Sequence, residues 1–158
     1  MDNTTVGKIA AISKSKKKGI PKTNVHSVRL IDNFGLEGDV HGGNWHRQVS
    51  FLALESIETM RKKGLPNLRP GAFAENITTE FLDLHHLDVG TRVSIGNEAE
   101  LVITQIGKEC HSKCAIFFRV GDCVMPREGI FAKVIKEGII TVGDQVTVHH
   151  PNKMKVAI

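Results

Sequence analysis

The segment from Gly107 to Cys114, Gly-Lys-Glu-Cys-His-Ser-Lys-Cys, concentrates side chains that could do chemistry. Two thiols, one imidazole and two ammonium groups fall within eight residues. The thiolate is the reactive form of cysteine, and nearby cationic groups favour it. Because Lys108, His111 and Lys113 flank Cys110, the segment indicates a reactive or metal-accepting thiol.

Structural interpretations of the same cysteines remain open. Free cysteines are often buried and pack as small hydrophobic side chains, and Cys123, between Asp122 and Val124, fits this interpretation. The Cys-x-x-x-Cys spacing is not that of a usual zinc knuckle, which also needs a second pair of ligands. A structural zinc or redox site built from Cys110, His111 and Cys114, in a non-enzymatic module, is therefore a further hypothesis.

A second chemical cluster is the glycine-rich stretch that runs from Gly35 to Gly43 and is followed by His46 and Arg47. Backbone N–H groups beside glycines can form a concave anion site, and arginine can bind a phosphate through two hydrogen bonds. The alternative is a glycine-rich crossover in which Asp39 caps its own turn. The stretch is neither a Gly-x-Gly-x-x-Gly motif that opens a helix nor a P-loop, so nucleotide folds with those motifs are not supported.

The third cluster is the segment from Met125 to Phe131, in which Arg127 precedes a glycine-led strand. From that position the guanidinium could point across a cleft. A surface role for Arg127 together with Glu128 is an equally acceptable interpretation of the local sequence.

Short apolar runs separated by turn residues must position these clusters. Alternating or continuous apolar stretches predict strands, and Leu54–Lys63 carries the helical spacing of an amphipathic helix that ends at Gly64. These patterns predict two hairpins, one that pairs 6–12 with 25–31 and one that pairs 91–95 with 100–106 across Gly96-Asn97. They also predict strands at 48–53, 76–79, 129–135 and 145–149. The pairs Glu137-Gly138 and Gly143-Asp144 are interpreted as turns. We therefore expect a mainly β fold, a barrel with one main helix and short helical additions such as 115–120.

Length and composition set further bounds. The 158 residues predict a single domain, 1–158, with a core over about 6–148 and a tail at 151–158. No secretory signal or apolar run of about 18 residues is present, and three cysteines do not complete a disulfide framework. We therefore expect a cytoplasmic protein with no membrane association.

The net charge of +4 suits an anionic partner. Low aromatic content, 5%, argues against a surface that stacks on single-stranded bases. The basic run Ser13–Gly19 is typical of a solvated hairpin loop, so nucleic acid is an unlikely partner and a phosphorylated small molecule a better one.

Five stretches, in this order, resemble motifs of the MOSC domain, which is named for the C-terminal domain of molybdenum cofactor sulfurase. The match runs from about Val6 to Val148. The chain resembles the small, stand-alone bacterial members of the family. The stretches are Gly-Leu-Glu-Gly-Asp-Val-His at 35–41, Arg-Gln-Val-Ser at 47–50, Pro-Gly-Ala-Phe-Ala-Glu-Asn-Ile at 70–77, Ile-Thr-Gln-Ile-Gly-Lys-Glu-Cys at 103–110 and Met-Pro-Arg-Glu-Gly-Ile-Phe-Ala at 125–132.

The resemblance implies a strand-rich barrel that handles the molybdenum cofactor, molybdopterin, which is a pterin with a dithiolene and a phosphate. The family cysteine that carries sulfur or ligates molybdenum maps onto Cys110, the candidate catalytic residue and tentative metal ligand. A soft thiolate suits such a centre. The candidate cofactor-binding residues are Gly38, Asp39, His41, Gly42, Gly43, Arg47, Gln48, Glu75, Asn76, Lys108 and Arg127.

The implied partners are a molybdoenzyme, a protein of cofactor biosynthesis or a reductase. The last would supply electrons if the chain reduces N-hydroxylated compounds at bound molybdenum, since the sequence contains no flavin or iron–sulfur motif. Pyridoxal phosphate is not expected, because the desulfurase domain that uses it in the sulfurase has no counterpart in this chain. The surroundings of Cys110 also differ from those in the larger cofactor-binding enzymes.

Overall fold

A computed structural model describes residues 3–20, 22–107 and 128–151. In these residues strands dominate, beside the α-helix α1 and a short 3-10 helix. The elements in chain order are β1 (Thr4–Lys14), β2 (Thr23–Val25), β3 (Ser27–Ile31), β4 (Gly35–Leu36), β5 (Val49–Ala53), α1 (Leu54–Lys62), β6 (Ile77–Glu80), the 3-10 helix (Leu84–His86), β7 (Arg92–Ile95), β8 (Ala99–Ile106), β9 (Ile130–Lys136), β10 (Gly138–Thr141) and β11 (Gln145–His149).

Seven strands close into a barrel in the order β11-β7-β8-β9-β5-β6-β1, with β1 pairing back to β11. All of these pairs are antiparallel except β5–β6. Parallel neighbours cannot be joined by a tight hairpin and require a crossover connection. Helix α1 lies in that connection, and the predicted barrel with one main helix is confirmed.

The barrel interior follows from the two-residue period of the strands. On β5, Val49, Phe51 and Ala53 belong to the large core cluster inside the barrel. Leu52 points the other way and packs with Ile57 and Met60 of α1 in a second cluster. Apolar side chains on both faces therefore hold β5 between the barrel core and the helix.

The prediction that 25–31 forms a single strand paired with β1 is wrong. Only Thr23–Val25 pairs with β1, whereas Ser27–Ile31 pairs with β10 and β4 in a separate three-stranded sheet. In β3 the burial alternates, with Val28 and Leu30 buried. The sequence 25–31 therefore contains parts of two strands with different partners, and its apolar pattern does not distinguish them.

Strand β10 was missed because Gly138 resembles a turn residue. A side chain at Gly138 would place its Cβ 2.8 Å from the Cβ of Glu98 and 2.9 Å from the amide nitrogen of Ala99. The glycine thus permits close approach of two backbones within a strand. The predicted hairpin β7–β8, in contrast, is confirmed, with Ile95 opposite Ala99.

Two predicted features, the helix at 115–120 and the tail beyond Pro151, lie outside the described residues. Within the described part of the chain, no helix is both long enough and apolar enough to cross a bilayer.

Candidate functional site

A pocket of about 240 Å³ lies on the outer face of the barrel wall. Its floor includes Ser50 of β5 and Phe131 of β9, which are cross-strand partners. They alternate with Val49 and Ile130, which point into the barrel core. The remaining walls come from the loops before β2, before β5 and before β6. The lining residues are Lys18, His41, Trp45, Arg47, Ser50, Phe73, Ala74, Asn76 and Phe131.

Asp39, predicted from the glycine-rich stretch, is buried behind the pocket and accepts four hydrogen bonds. Its Oδ1 accepts from Lys22 Nζ at 2.7 Å and from the Ser15 amide at 3.0 Å. Its Oδ2 accepts from Asn76 Nδ2 at 3.1 Å and from the His41 amide at 3.3 Å. Burial raises the pKa of Asp39, but the bonds from Lys22 and Ser15 outweigh it and hold the pKa below its usual value. Asp39 is therefore an ionised anchor for two loops.

Lys22 connects this anchor to the pocket. Its side chain is only 1% exposed. Besides its contact with Asp39 Oδ1, Nζ lies 2.9 Å from His41 Nδ1. An ammonium group has donors and no acceptor, so Nδ1 of His41 must accept and the ring proton of a neutral His41 must be on Nε2. Sequence reasoning missed Lys22, because a lysine just after a basic run resembles another solvated charge.

Asn76 ties the first strand of the barrel to the pocket floor. Its Oδ1 accepts from the Ser50 amide at 3.0 Å and from Ser50 Oγ at 3.2 Å, while Nδ2 donates to the carbonyl of Ser13 at 3.2 Å. Because Asn76 also bonds Asp39, its polar atoms are largely committed to positioning other groups. Its contribution to the pocket is mainly to fix the shape of the wall.

Arg47 is the most distinctive residue of the pocket. Its guanidinium carbon lies 4.8 Å from the ring centroid of Trp45 and 5.6 Å from that of Phe131, an arrangement that favours a cation between two aromatic rings. The Trp45 ring is held in turn by a bond from Nε1 to the His41 carbonyl at 2.8 Å. Arg47 Nε is buried and has no hydrogen-bond partner among the described residues. A buried N–H donor without a partner is costly, so this group is suited to an acceptor from outside the described part of the chain.

Gln48 and Glu75 do not line this pocket. The Gln48 amide is fully buried, accepts from Val134 N at 3.0 Å and donates to Asn33 Oδ1 at 3.0 Å. Glu75 is also fully buried and accepts from the amides of Gly71 and Phe73 at 2.7 and 3.0 Å. Burial raises the pKa of Glu75 despite these bonds. Gln48 thus ties the start of β5 to β9 and to Asn33, whereas Glu75 stabilises the loop before β6 that lines the pocket.

The glycines of the same loop serve its packing. The amide of Gly42 donates to the Asp39 carbonyl at 3.1 Å, and the amide of Gly43 donates to the Phe34 carbonyl at 2.8 Å. A Cβ on Gly42 would lie 2.5 Å from the Phe34 ring. Gly38 is exposed and has φ +81°, a conformation that favours glycine. An anion nest at this loop therefore cannot use the amides of Gly42 and Gly43.

The loop before β5 also contacts the end of β8. His46 Nε2 and Gln105 Oε1 are 2.9 Å apart, and Thr104 Oγ1 donates to the His46 carbonyl. Gln105 Nε2 donates to the Gly107 carbonyl at 2.8 Å, and the Gly107 amide donates to the Gly129 carbonyl at 2.7 Å. The predicted residues that follow, Lys108, Cys110, His111, Cys114 and Arg127, lie outside the described residues.

Several solved structures have a similar fold. The YUAD protein of Bacillus subtilis is 19% identical at a TM-score of 0.80, covering 96% of this chain and 100% of its own. YiiM of Geobacillus stearothermophilus is 21% identical at a TM-score of 0.67, covering 90% of this chain and 74% of its own. YiiM of Escherichia coli is 16% identical at 0.65, with 92% and 71% covered. At these identities the likeness concerns the fold.

Among curated protein sequences, none matches this chain. The family model of the MOSC domain matches residues 37–147, a span from the glycine-rich loop to β11 that includes most of the pocket. The predicted resemblance is thereby confirmed, and the chain belongs to the MOSC domain family.

Proposed function

We propose that this protein binds the molybdenum cofactor in the pocket between β5, β9 and the loop that carries His41 and Arg47. In this proposal Cys110 is the thiolate that either carries sulfur to the cofactor or ligates its molybdenum. Membership of the MOSC family, which is associated with the molybdenum cofactor, supports the cofactor class. The part played by each residue is argued from the contacts described above.

The observation that carries the proposal is the contact between the Arg47 loop and the end of β8. His46 is hydrogen-bonded to Gln105, and Cys110 follows Gly107 by three positions. Three residues of chain span at most about 11 Å. Cys110 is therefore separated by only a short length of chain from a point that is fixed to the loop carrying Arg47.

The donors of the pocket fit the anionic part of the cofactor. Arg47 offers a buried Nε–H without a described partner, and Lys18 adds an ammonium to the lining. A phosphate accepts several hydrogen bonds and suits a guanidinium in particular. The rings of Trp45 and Phe131, between which the guanidinium lies, restrict its orientation. Arg47 and Lys18 would therefore hold the phosphate.

The other pocket residues would position the cofactor. His41, whose ring is oriented by Lys22 and lines the pocket, would contact the pterin. Ser50 and Asn76 would shape the floor. When bound, the cofactor supplies a redox-active metal held by dithiolene sulfurs. The Cys110 thiolate would provide the soft sulfur that such a metal accepts.

Cofactor retention tests the proposal. Wild type, Cys110→Ser and Arg47→Met are incubated with purified cofactor without oxygen, freed of unbound cofactor by gel filtration and assayed for molybdenum and pterin. We expect wild type to retain both, Arg47→Met to retain much less pterin, and Cys110→Ser to retain pterin with less molybdenum if the thiolate is a ligand. The matched control is Arg29→Met, which removes an exposed arginine of β3.

The outcomes separate the parts of the proposal. Failure of the wild type to retain pterin would contradict cofactor binding altogether. Equal retention of molybdenum and pterin by wild type and Cys110→Ser would contradict the ligand role of Cys110. Equal retention by Arg47→Met and Arg29→Met would contradict the phosphate site at Arg47.

Reduction of N-hydroxylated compounds is a catalytic version of the same proposal. It requires a partner reductase, and absence of turnover by cofactor-loaded protein with an artificial reductant would contradict it. The metal or redox module of Cys110, His111 and Cys114 stays a prediction. It would be supported by stoichiometric zinc whose removal by chelation unfolds the protein.

A further inference from the structure

Two histidines and one carboxylate, none of which lines the pocket, converge in the segment between β6 and β7. His86 Nδ1 lies 2.6 Å from Asp83 Oδ2, and His85 Nδ1 lies 3.5 Å from Asp83 Oδ1. The two imidazole centroids are 4.1 Å apart. One potential ligand atom from each residue lies within 4.8 Å of the other two. These three groups are therefore already gathered around a common point.

The separations suit a first-row metal ion. Zinc binds histidine nitrogen at about 2.0–2.1 Å and carboxylate oxygen at about 2.0–2.2 Å, in tetrahedral geometry. Such bonds place neighbouring ligand atoms about 3.3 Å apart. His86 and His85 contact different oxygens of Asp83, at 2.6 and 3.5 Å, and one ligand atom from each residue lies within 4.8 Å of the other two. Small rotations of the side chains would complete the arrangement.

The backbone of this segment is anchored although its polar side chains are accessible. Leu84 and Leu87 are 3% and 8% exposed and belong to the barrel core, while the side chains of Asp83 and His86 are 64% and 70% exposed. The buried leucines fix the 3-10 helix against the barrel. Asp83 and His86 consequently face solvent from a rigid support and His85 is partly accessible, so an ion can enter without unfolding the chain.

We propose that Asp83, His85 and His86 form a binding site for a divalent transition-metal ion, with Zn²⁺ as the probe of choice. The ion binds each neutral imidazole through Nδ1, with the ring proton on Nε2. Three protein ligands leave the fourth tetrahedral position to water. Imidazole ligands favour zinc, copper and nickel over magnesium and calcium.

This site can be tested by titrating the full chain with zinc and measuring the heat of binding by isothermal titration calorimetry. The variant His85→Asn/His86→Asn is compared with the matched control His26→Asn/His149→Asn, which removes two exposed histidines elsewhere. Because both variants keep all three cysteines, zinc bound by thiols contributes equally to each. We expect wild type and control to bind one more equivalent of zinc than His85→Asn/His86→Asn does.

Two further measurements complete the test. Excess Mg²⁺ or Ca²⁺ should leave this equivalent bound, whereas Cu²⁺ should displace zinc from it. Since a ligand that binds only the folded state stabilises it, Tm should rise with zinc concentration more in the control than in the variant. Equal zinc stoichiometry and affinity in variant and control would overturn the proposal.

A single substitution covers the case in which the double variant does not fold. Asp83→Asn keeps both imidazoles and removes the charged oxygen ligand. We expect it to weaken zinc binding at the extra site by at least about tenfold, and an affinity equal to that of the wild type would overturn the proposal. None of these measurements depends on molybdenum cofactor binding.

Discussion

Lys22 Nζ and Asp39 Oδ1 are 2.7 Å apart, and the two side chains are 1% and 0% exposed. The pair joins the stretch before β2 to the loop that carries His41 and Arg47. Asp39 also accepts from Asn76, which is bonded to Ser50 on β5. This buried pair therefore connects the loops around the pocket to the barrel wall.

Replacing Lys22 with methionine should destabilise the protein strongly. Removal of one partner leaves a buried carboxylate without its counterion, which costs about 3–5 kcal/mol. Urea unfolding of Lys22→Met at neutral pH measures the loss. The control Lys8→Met breaks an exposed pair with Glu80, 3.9 Å apart, and should cost less than about 1 kcal/mol. Similar losses in both variants would contradict the importance of burial.

The contribution of Asp39 should decline in acid. Burial raises its pKa in the folded state, but the bonds from Lys22 and Ser15 outweigh burial and lower the pKa overall. A depressed folded pKa contributes stability above the unfolded value of about 3.9 and loses it as the pH falls through the folded pKa. The difference in unfolding free energy between wild type and Asp39→Asn should therefore shrink below about pH 4. A constant difference would contradict the lowered pKa.

Glu75 should show the opposite dependence on pH. Burial raises its pKa above the unfolded value, so its stabilising contribution is complete below the unfolded pKa and is lost as the pH rises through the folded pKa. Urea unfolding at a series of pH values checks this. Relative to Glu75→Gln, wild type should become less stable as the pH rises above about 4.3, and the reverse trend would show that hydrogen bonds outweigh burial.

His41 should be found as the Nε2–H tautomer at a pH where its ring is neutral. Lys22 Nζ lies 2.9 Å from Nδ1 and can only donate to it. Long-range ¹⁵N–¹H correlation spectra distinguish the two nitrogens of the ring. In Lys22→Met this constraint is removed and the tautomer population should shift. A protonated Nδ1 in the wild-type spectrum would contradict the role of Lys22 as a positioning residue.

Arg47→Lys should weaken anion binding although it preserves the charge. Lysine cannot reproduce the planar guanidinium that lies between Trp45 and Phe131, nor its paired donors. Loss of about 1.4 kcal/mol corresponds to a tenfold weaker affinity, and we expect a loss of about this size in a titration with the purified cofactor. Arg29→Lys is the control, and equal affinity in the two variants would contradict a specific role for Arg47.

Local patterns in the sequence predicted much of the barrel. The helix after β5 and the hairpin β7–β8 were predicted because their periodicity and turn residues act over a few positions. Such patterns report which side of an element is buried. They do not report which distant strand pairs with it, and for this reason the sequence predicts one strand over 25–31 and a turn at Glu137-Gly138, where β10 begins.

For the candidate site, local sequence motifs are enough to identify the family resemblance and the residues Asp39, Asn76 and Arg47. The folded chain shows in addition that Lys22 is buried, that Gln48 bonds to Asn33 and β9, that Glu75 bonds within its own loop, and that Arg47 lies between two rings. The physical reason is that a charge becomes buried only where residues distant in sequence supply its counterion or its hydrogen-bond partners. Closure of the barrel brings those partners together, and local sequence patterns do not predict such long-range contacts.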